Sequence, residues 1–213
     1  KILILILGSI FIIFLLFNLY YFVEKTDQNI LIDPQIERPS KLSNMNTQKQ
    51  YPKALVNYDD FTTLVAEVEK NRIEKLIDLD TFLQMSKEEN VIILDSRSDF
   101  RYFRKHLKGA IHLSFTDYTQ ENLNKLIPDP NTKILIYCNN NFDGDQVDFA
   151  TKISTPKENV ETQILSNRKP IMLALNIPTY INLYGYGYKN IYELDELVNV
   201  NDPRIKFEGT EVK

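Results

Sequence analysis

Two short, strongly apolar runs constrain this chain more than any other feature: Val91-Ile92-Ile93-Leu94 ends at Asp95, and Ile134-Leu135-Ile136-Tyr137 ends at Cys138. A strand with one face in water alternates apolar and polar residues. An unbroken run of four, followed at once by a polar side chain, reads instead as a strand buried on both faces. Such strands are parallel and need helical crossovers between them. The patterns for those helices are present. Asp59 or Asp60 can cap a helix carrying Phe61, Leu64, Val65 and Val68, and Asp78 can cap another carrying Leu79, Phe82 and Leu83. Asp99 to Lys105 and Thr119 to Leu126 read as further helices, and Lys169 to Tyr184 as a longer one interrupted by Pro178. Gly187 is a helix stop before a last strand, Asn190 to Leu194. The expectation is an α/β domain with a mainly parallel sheet flanked by helices.

A different constraint acts at the other end of the sequence. Ile2 to Val23 carries no charge, and at 1.5 Å per residue it reaches ~30 Å, the thickness of a bilayer core. Tyr20, Tyr21 and Phe22 stand where an interfacial aromatic belt would lie. A cleavable signal peptide would have a shorter apolar region and small residues at the cleavage site, and neither is seen. Residues 1–23 are therefore expected to form one transmembrane helix. Residues 24–57, with Pro34, Pro39 and Pro52 among polar residues, read as a tether, and 58–213 as the folded domain with its core at about 75–200. Lys1 and Lys25 flank the span evenly, but a short N-terminus before a long domain favours a single-pass protein with an extracytoplasmic domain.

Charge and composition narrow the chemistry. A net charge of −4 excludes the clustered positive excess of a nucleic-acid binder. One cysteine cannot form an internal disulfide, and with two histidines it makes a poor basis for a zinc site, so no metal and no cofactor is expected. Cys138, at a strand end, has two readings. Loop N–H groups or a helix N-terminus could lower its pKa and make it a nucleophile, or it is a small buried apolar side chain.

The segment VIILDSRSDFRYFRKHLKGAIHLSF, the later ILIYC and the closing YGYGYKNIYEL together resemble a rhodanese domain over roughly residues 75 to 200. Asp95 and Arg97 match the family's Asp-x-Arg. His106, Leu107, Gly109 and Ala110 match its histidine turn, Cys138 its catalytic cysteine, and Gly187, Tyr188, Asn190 and Ile191 its last strand entry. The resemblance implies a single rhodanese-like domain and sulfur transfer. Cys138 would accept a sulfane sulfur from a small donor, and Asn139, Asn140, Asn141, Phe142, Asp143 and Gly144 would cradle the persulfide for delivery to a thiol acceptor. Asp95 and Arg97, with His106 and Gly109, would be structural.

Several residues depart from that pattern. Arg101 stands where the family has a glutamate, and Lys105 and Lys108 flank the histidine turn. The cysteine loop has no Arg or Lys, while Asp143, Asp145 and Asp148 follow the thiol and would raise its pKa and repel an anionic donor. Residues 150–168 read as a polar insertion. Arg101, Arg104, Lys105 and Lys108 form a basic stripe, read first as a solvated helix face and second as a partner or lipid contact. Asn139-x-Asn141-x-Asp143-Gly144-Asp145 mimics a calcium loop but has Ala150 at the twelfth position. His112 reads as structural, and Tyr180, Tyr184, Tyr186 and Tyr188 as packing. Two functions remain open: a membrane-anchored sulfurtransferase, or a catalytically silent rhodanese fold that binds a partner or senses through its thiol. The sequence identifies no protein partner.

Overall fold

The computed structural model describes residues 53–155 and 170–212. The expected span at 2–23 lies outside these residues, as does nearly all of the tether. Among the described residues no helix is long and apolar enough to cross a membrane. The folded part runs α1 (Tyr58–Ile73), β1 (Leu76–Ile77), α2 (Leu79–Met85), β2 (Val91–Asp95), α3 (Asp99–Arg104), β3 (His106–Leu107), β4 (Ile111–His112), α4 (Gln120–Leu126) and β5 (Lys133–Tyr137). After Cys138 come β6 (Phe142–Asp143), β7 (Ile153–Ser154), β8 (Ile171–Met172), α5 (Asn176–Gly185), β9 (Ile191–Leu194), β10 (Val198–Asn199) and β11 (Phe207–Glu208).

The two apolar runs become the central strands of a five-stranded sheet, ordered β1-β9-β5-β2-β4, in which every pairing is parallel. Their register runs from Val91 opposite Lys133 to Asp95 opposite Tyr137, so Asp95 and Cys138 emerge at the same edge. Side chains alternate across a strand. Ile134 and Ile136 therefore enter one apolar cluster with Val68, Leu123, Tyr180 and Leu183 from α1, α4 and α5. Leu135 and Tyr137 enter the opposite cluster with Leu79 and Phe82 from α2. Both faces are covered, which is why the runs carry no polar alternation.

Helix ends follow local chemistry, with two corrections to the sequence reading. Asp78 accepts from the Thr81 N–H at 2.8 Å, as expected. The first helix, however, is capped by Asn57, whose Oδ1 accepts from the N–H groups of Asp59 and Asp60 at 3.0 and 3.2 Å. Those two acids sit in the first turn instead, where negative charge favours a helix N-terminus. The helix expected from Lys169 begins only at Asn176, and Ile171–Met172 pairs antiparallel with Ile153–Ser154. Pro178 thus lies in the first turn, where no N–H is needed, and interrupts nothing. At the other end Gly187 takes φ +104°, the Gly187 N–H donates to the Tyr184 carbonyl and the Tyr188 N–H to that of Leu183. This is a Schellman stop of the kind Gly187 suggested.

Two ion pairs lock helices to the sheet. Arg72 of α1 grips buried Glu193 of β9 with Nε and Nη2 at 2.5 and 2.7 Å. Asp95 and Arg97, 0% and 2% exposed, form a second pair with Nη2 to Oδ2 at 2.7 Å and Nε to Oδ1 at 3.0 Å. Arg97 also donates to the carbonyls of Lys105 and Asp148 at 2.7 and 3.2 Å. Removing one partner of a buried pair typically costs ~3–5 kcal/mol, because the other charge is left uncompensated. Arg97→Met is therefore expected to lower the thermal unfolding midpoint severely or abolish folding, as read by circular dichroism.

Candidate functional site

Cys138 stands at the C-terminal edge of β5, where open α/β sheets gather functional groups. The side chain is buried, 2% exposed. Its Sγ accepts the Leu175 N–H at 3.3 Å, and the Asn139 amide also favours its anionic form. Leu175 is the residue entering α5, so this helix presents its positive end to the sulfur across the whole excursion from Gly144. Against these, burial dominates and pushes the thiol above its ordinary pKa.

The loop expected to cradle the sulfur is largely committed to its own structure. Asn139–Asn141 form a 3-10 turn in which the Asn141 N–H returns to the Cys138 carbonyl and the Phe142 N–H to that of Asn139. Asn141 is a junction. Its Oδ1 accepts from the Cys138 N–H and from Asn176 Nδ2, both at 2.8 Å, and its own Nδ2 donates to the Leu194 carbonyl at 2.6 Å. Asn140 pairs with the Lys152 backbone, Oδ1 accepting at 2.7 Å and Nδ2 donating at 3.0 Å. Phe142 packs among Tyr137, Phe149 and Phe207, while Asp143 pairs with Asn199 across β6 and β10. Gly144 turns the chain at φ +83°. Asn139 is 5% exposed and its Oδ1 has no partner among the described residues.

The loop acids do not crowd the thiol as their spacing suggested. Asp145 is held by Lys105 at 3.0 Å and Asp148 by Arg104 at 2.6 Å. Most of the basic stripe is thus a set of ion-pair partners, and Lys108 faces Glu208 at 3.6 Å. The guanidinium of Arg97 does not take the place of the missing loop arginine, since it is bound to Asp95. The histidines lie elsewhere, stacked on the two faces of Tyr102 with ring centroids at 3.9 Å for His106 and 4.4 Å for His112. His106 Nδ1 meets the Tyr102 carbonyl, and His112 meets the Asp95 carbonyl and Asp99. Gly109 makes the turn before β4 at φ +79°. Among the described residues no cluster of three His, Cys, Asp or Glu could hold a metal ion.

Sequence reasoning missed Leu175. A backbone donor leaves no residue-type signature, and Leu175 is 37 positions from the thiol.

A parallel α/β domain with a cysteine at the end of its central strand and an Asp-x-Arg pair beside it defines the class. The rhodanese-like domain profile matches residues 78–196, more than half of the chain, and the chain belongs to that family. No curated protein matches it. Among matching solved structures is the crystal structure of the BH2092 protein from Bacillus halodurans, at 17% identity and a TM-score of 0.29, covering 40% of this chain and 61% of that one. The chain thus spans less than two thirds of that relative's length.

The thiol's reactivity should follow from burial. Iodoacetamide labelling of folded protein, followed by mass spectrometry across pH, is expected to be slow at neutrality and to rise only above the usual cysteine range of ~8.5. Unfolded chain should label faster throughout. Asp145→Asn should leave the profile unchanged, and a marked acceleration would restore the loop acids as the controlling charge.

Proposed function

We propose that this chain is a membrane-tethered rhodanese-fold module that works by binding, with Cys138 held as a sheltered thiol. The observation that carries this reading is the 2% exposure of Cys138 together with the upward shift that burial imposes on its pKa. A sulfur-transfer nucleophile needs the thiolate and an open approach for its donor. Here the loop amides of Asn141 and Phe142 close a turn, and residues 139–148 supply no Lys or Arg to attract an anionic donor. The uncharged run at 2–23 supports the tether, with the domain on the extracytoplasmic side.

A second reading has its own support. The Leu175 N–H on Sγ, with the Asn139 amide beside it, is the type of donor set that stabilises a thiolate or persulfide. In that reading the Cys138 thiolate attacks the outer sulfur of a donor such as thiosulfate, breaking its S–S bond and releasing sulfite, and a thiol acceptor then takes that sulfur and restores the thiolate. Incubation with thiosulfate, read by intact mass beside a Cys138→Ser control, separates the two. The binding reading expects no mass change in folded protein. Gain of one sulfur atom on the wild type alone would overturn it and make persulfide chemistry the function.

A further inference from the structure

Resting on the sheltered-thiol reading, we propose that residues 197–212 form a strap that regulates Cys138 by holding the cysteine loop in its closed turn. The family match ends at residue 196, and the described residues beyond it fold back across that loop. At the root of the strap the Glu196 carbonyl accepts from Asn141 Nδ2 at 3.3 Å. β10 then lies parallel to β6, with Val198 opposite Phe142 and Asn199 opposite Asp143, and the Val200 N–H donates to the Asp143 carbonyl at 3.0 Å. Ile205 is buried in the apolar cluster that also holds Phe142 and Phe149. β11 pairs with β3, and the Phe207 ring meets those of Phe142 and Phe149 with centroids at 5.5 and 5.3 Å. The far end clips onto α3. Gly209, at φ +133°, passes so close that a Cβ would lie 2.3 Å from the Arg104 carbonyl oxygen. The Thr210 and Glu211 N–H groups donate to the Phe103 and Arg104 carbonyls at 2.9 and 3.0 Å.

The strap acts on the thiol through Phe142. The closed turn commits the N–H groups of Asn141 and Phe142 to the carbonyls of Cys138 and Asn139. A single 3-10 turn is weak by itself. This one is pinned where it ends, by β10 along the backbone of Phe142 and by Phe207 against its ring. The strap is itself held by two-residue pairings, so it belongs to the least stable parts of a fold and can lift without the sheet opening. Lifting removes both pins at once. The turn is then free to re-form with its amides toward the sulfur, where backbone N–H groups favour the thiolate. Seated, the strap keeps Cys138 sheltered; lifted, it makes the same thiol reactive.

The chain has one cysteine, so alkylation reports Cys138 alone. Native-state hydrogen exchange on the full chain reads the strap without mutation. The amides of Asn141, Phe142 and Val200 are expected to open together, and at lower free energy than the amides of β5. Iodoacetamide labelling then compares two strap variants with a control. Val200→Pro deletes the donor to Asp143, and Phe207→Ala removes the ring against Phe142. Both are expected to label roughly tenfold faster than wild type at neutral pH while still melting cooperatively. Val68→Ala, in the apolar cluster on the other face of the sheet, should lower the melting midpoint yet label at the wild-type rate. Folded strap variants that label no faster than wild type overturn the strap alone and leave the shelter to the sheet and α5. Labelling that tracks the lost midpoint equally in all three variants does the same, as do Asn141 and Phe142 amides that exchange only with β5. A strap variant that fails to fold leaves the exchange result to decide. Wild type that labels as fast as unfolded chain overturns the sheltered-thiol reading and this proposal together.

Discussion

The buried Asp95–Arg97 pair is the interaction on which the functional edge of this domain depends. Each charge would be costly alone in an interior of low polarity, so each must be matched by several partners at once. Arg97 achieves this by drawing in the end of α3 through the Lys105 carbonyl and the start of the long excursion through the Asp148 carbonyl. Its guanidinium also lies over the Phe149 ring at 4.6 Å. Asp95 in turn accepts from the hydroxyl of Tyr137, the residue immediately before the cysteine. One pair therefore fixes four segments relative to each other, among them the end of β5 that leads into Cys138.

The thiol beside this pair shows how poorly sequence proximity measures charge. Three aspartates follow Cys138 within ten positions, yet two of them bind cations from α3 and its end. The guanidinium of Arg97 is also balanced by its own carboxylate. What remains is a contest between burial, which favours the neutral thiol, and the amides of Leu175 and Asn139, which favour the anion. Burial prevails. That balance, more than any count of acidic residues, separates a binding role from a catalytic one.

The elements legible in advance were those with a strong period or a chemical punctuation mark. The two central strands were visible because burial on both faces removes polar alternation, and Asp78 and Gly187 announced themselves as cap and stop. The two-residue strands β3, β6, β7 and β8 were not, since so short a pairing leaves no pattern in composition. The Lys169 helix failed for a related reason: Ile171 to Leu175 is apolar enough to continue a helical pattern, and only tertiary pairing with Ile153–Ser154 converts its start to a strand. The family motifs located Cys138 within the sequence, but the donor that touches its sulfur comes from a residue no motif contains.

Asn140 has a wider consequence for how this fold tolerates change. Its carboxamide meets both backbone groups of Lys152, and the carbonyl of Lys152 also accepts the Leu173 N–H at 2.8 Å. A side chain here takes the place of a sheet rung and joins the outgoing and returning limbs of the excursion beside the turn that carries the sulfur. Length between those limbs is thereby uncoupled from geometry at the thiol. Residues could be gained or lost in the stretch beyond Ser154 while Leu175 still arrives at the same sulfur.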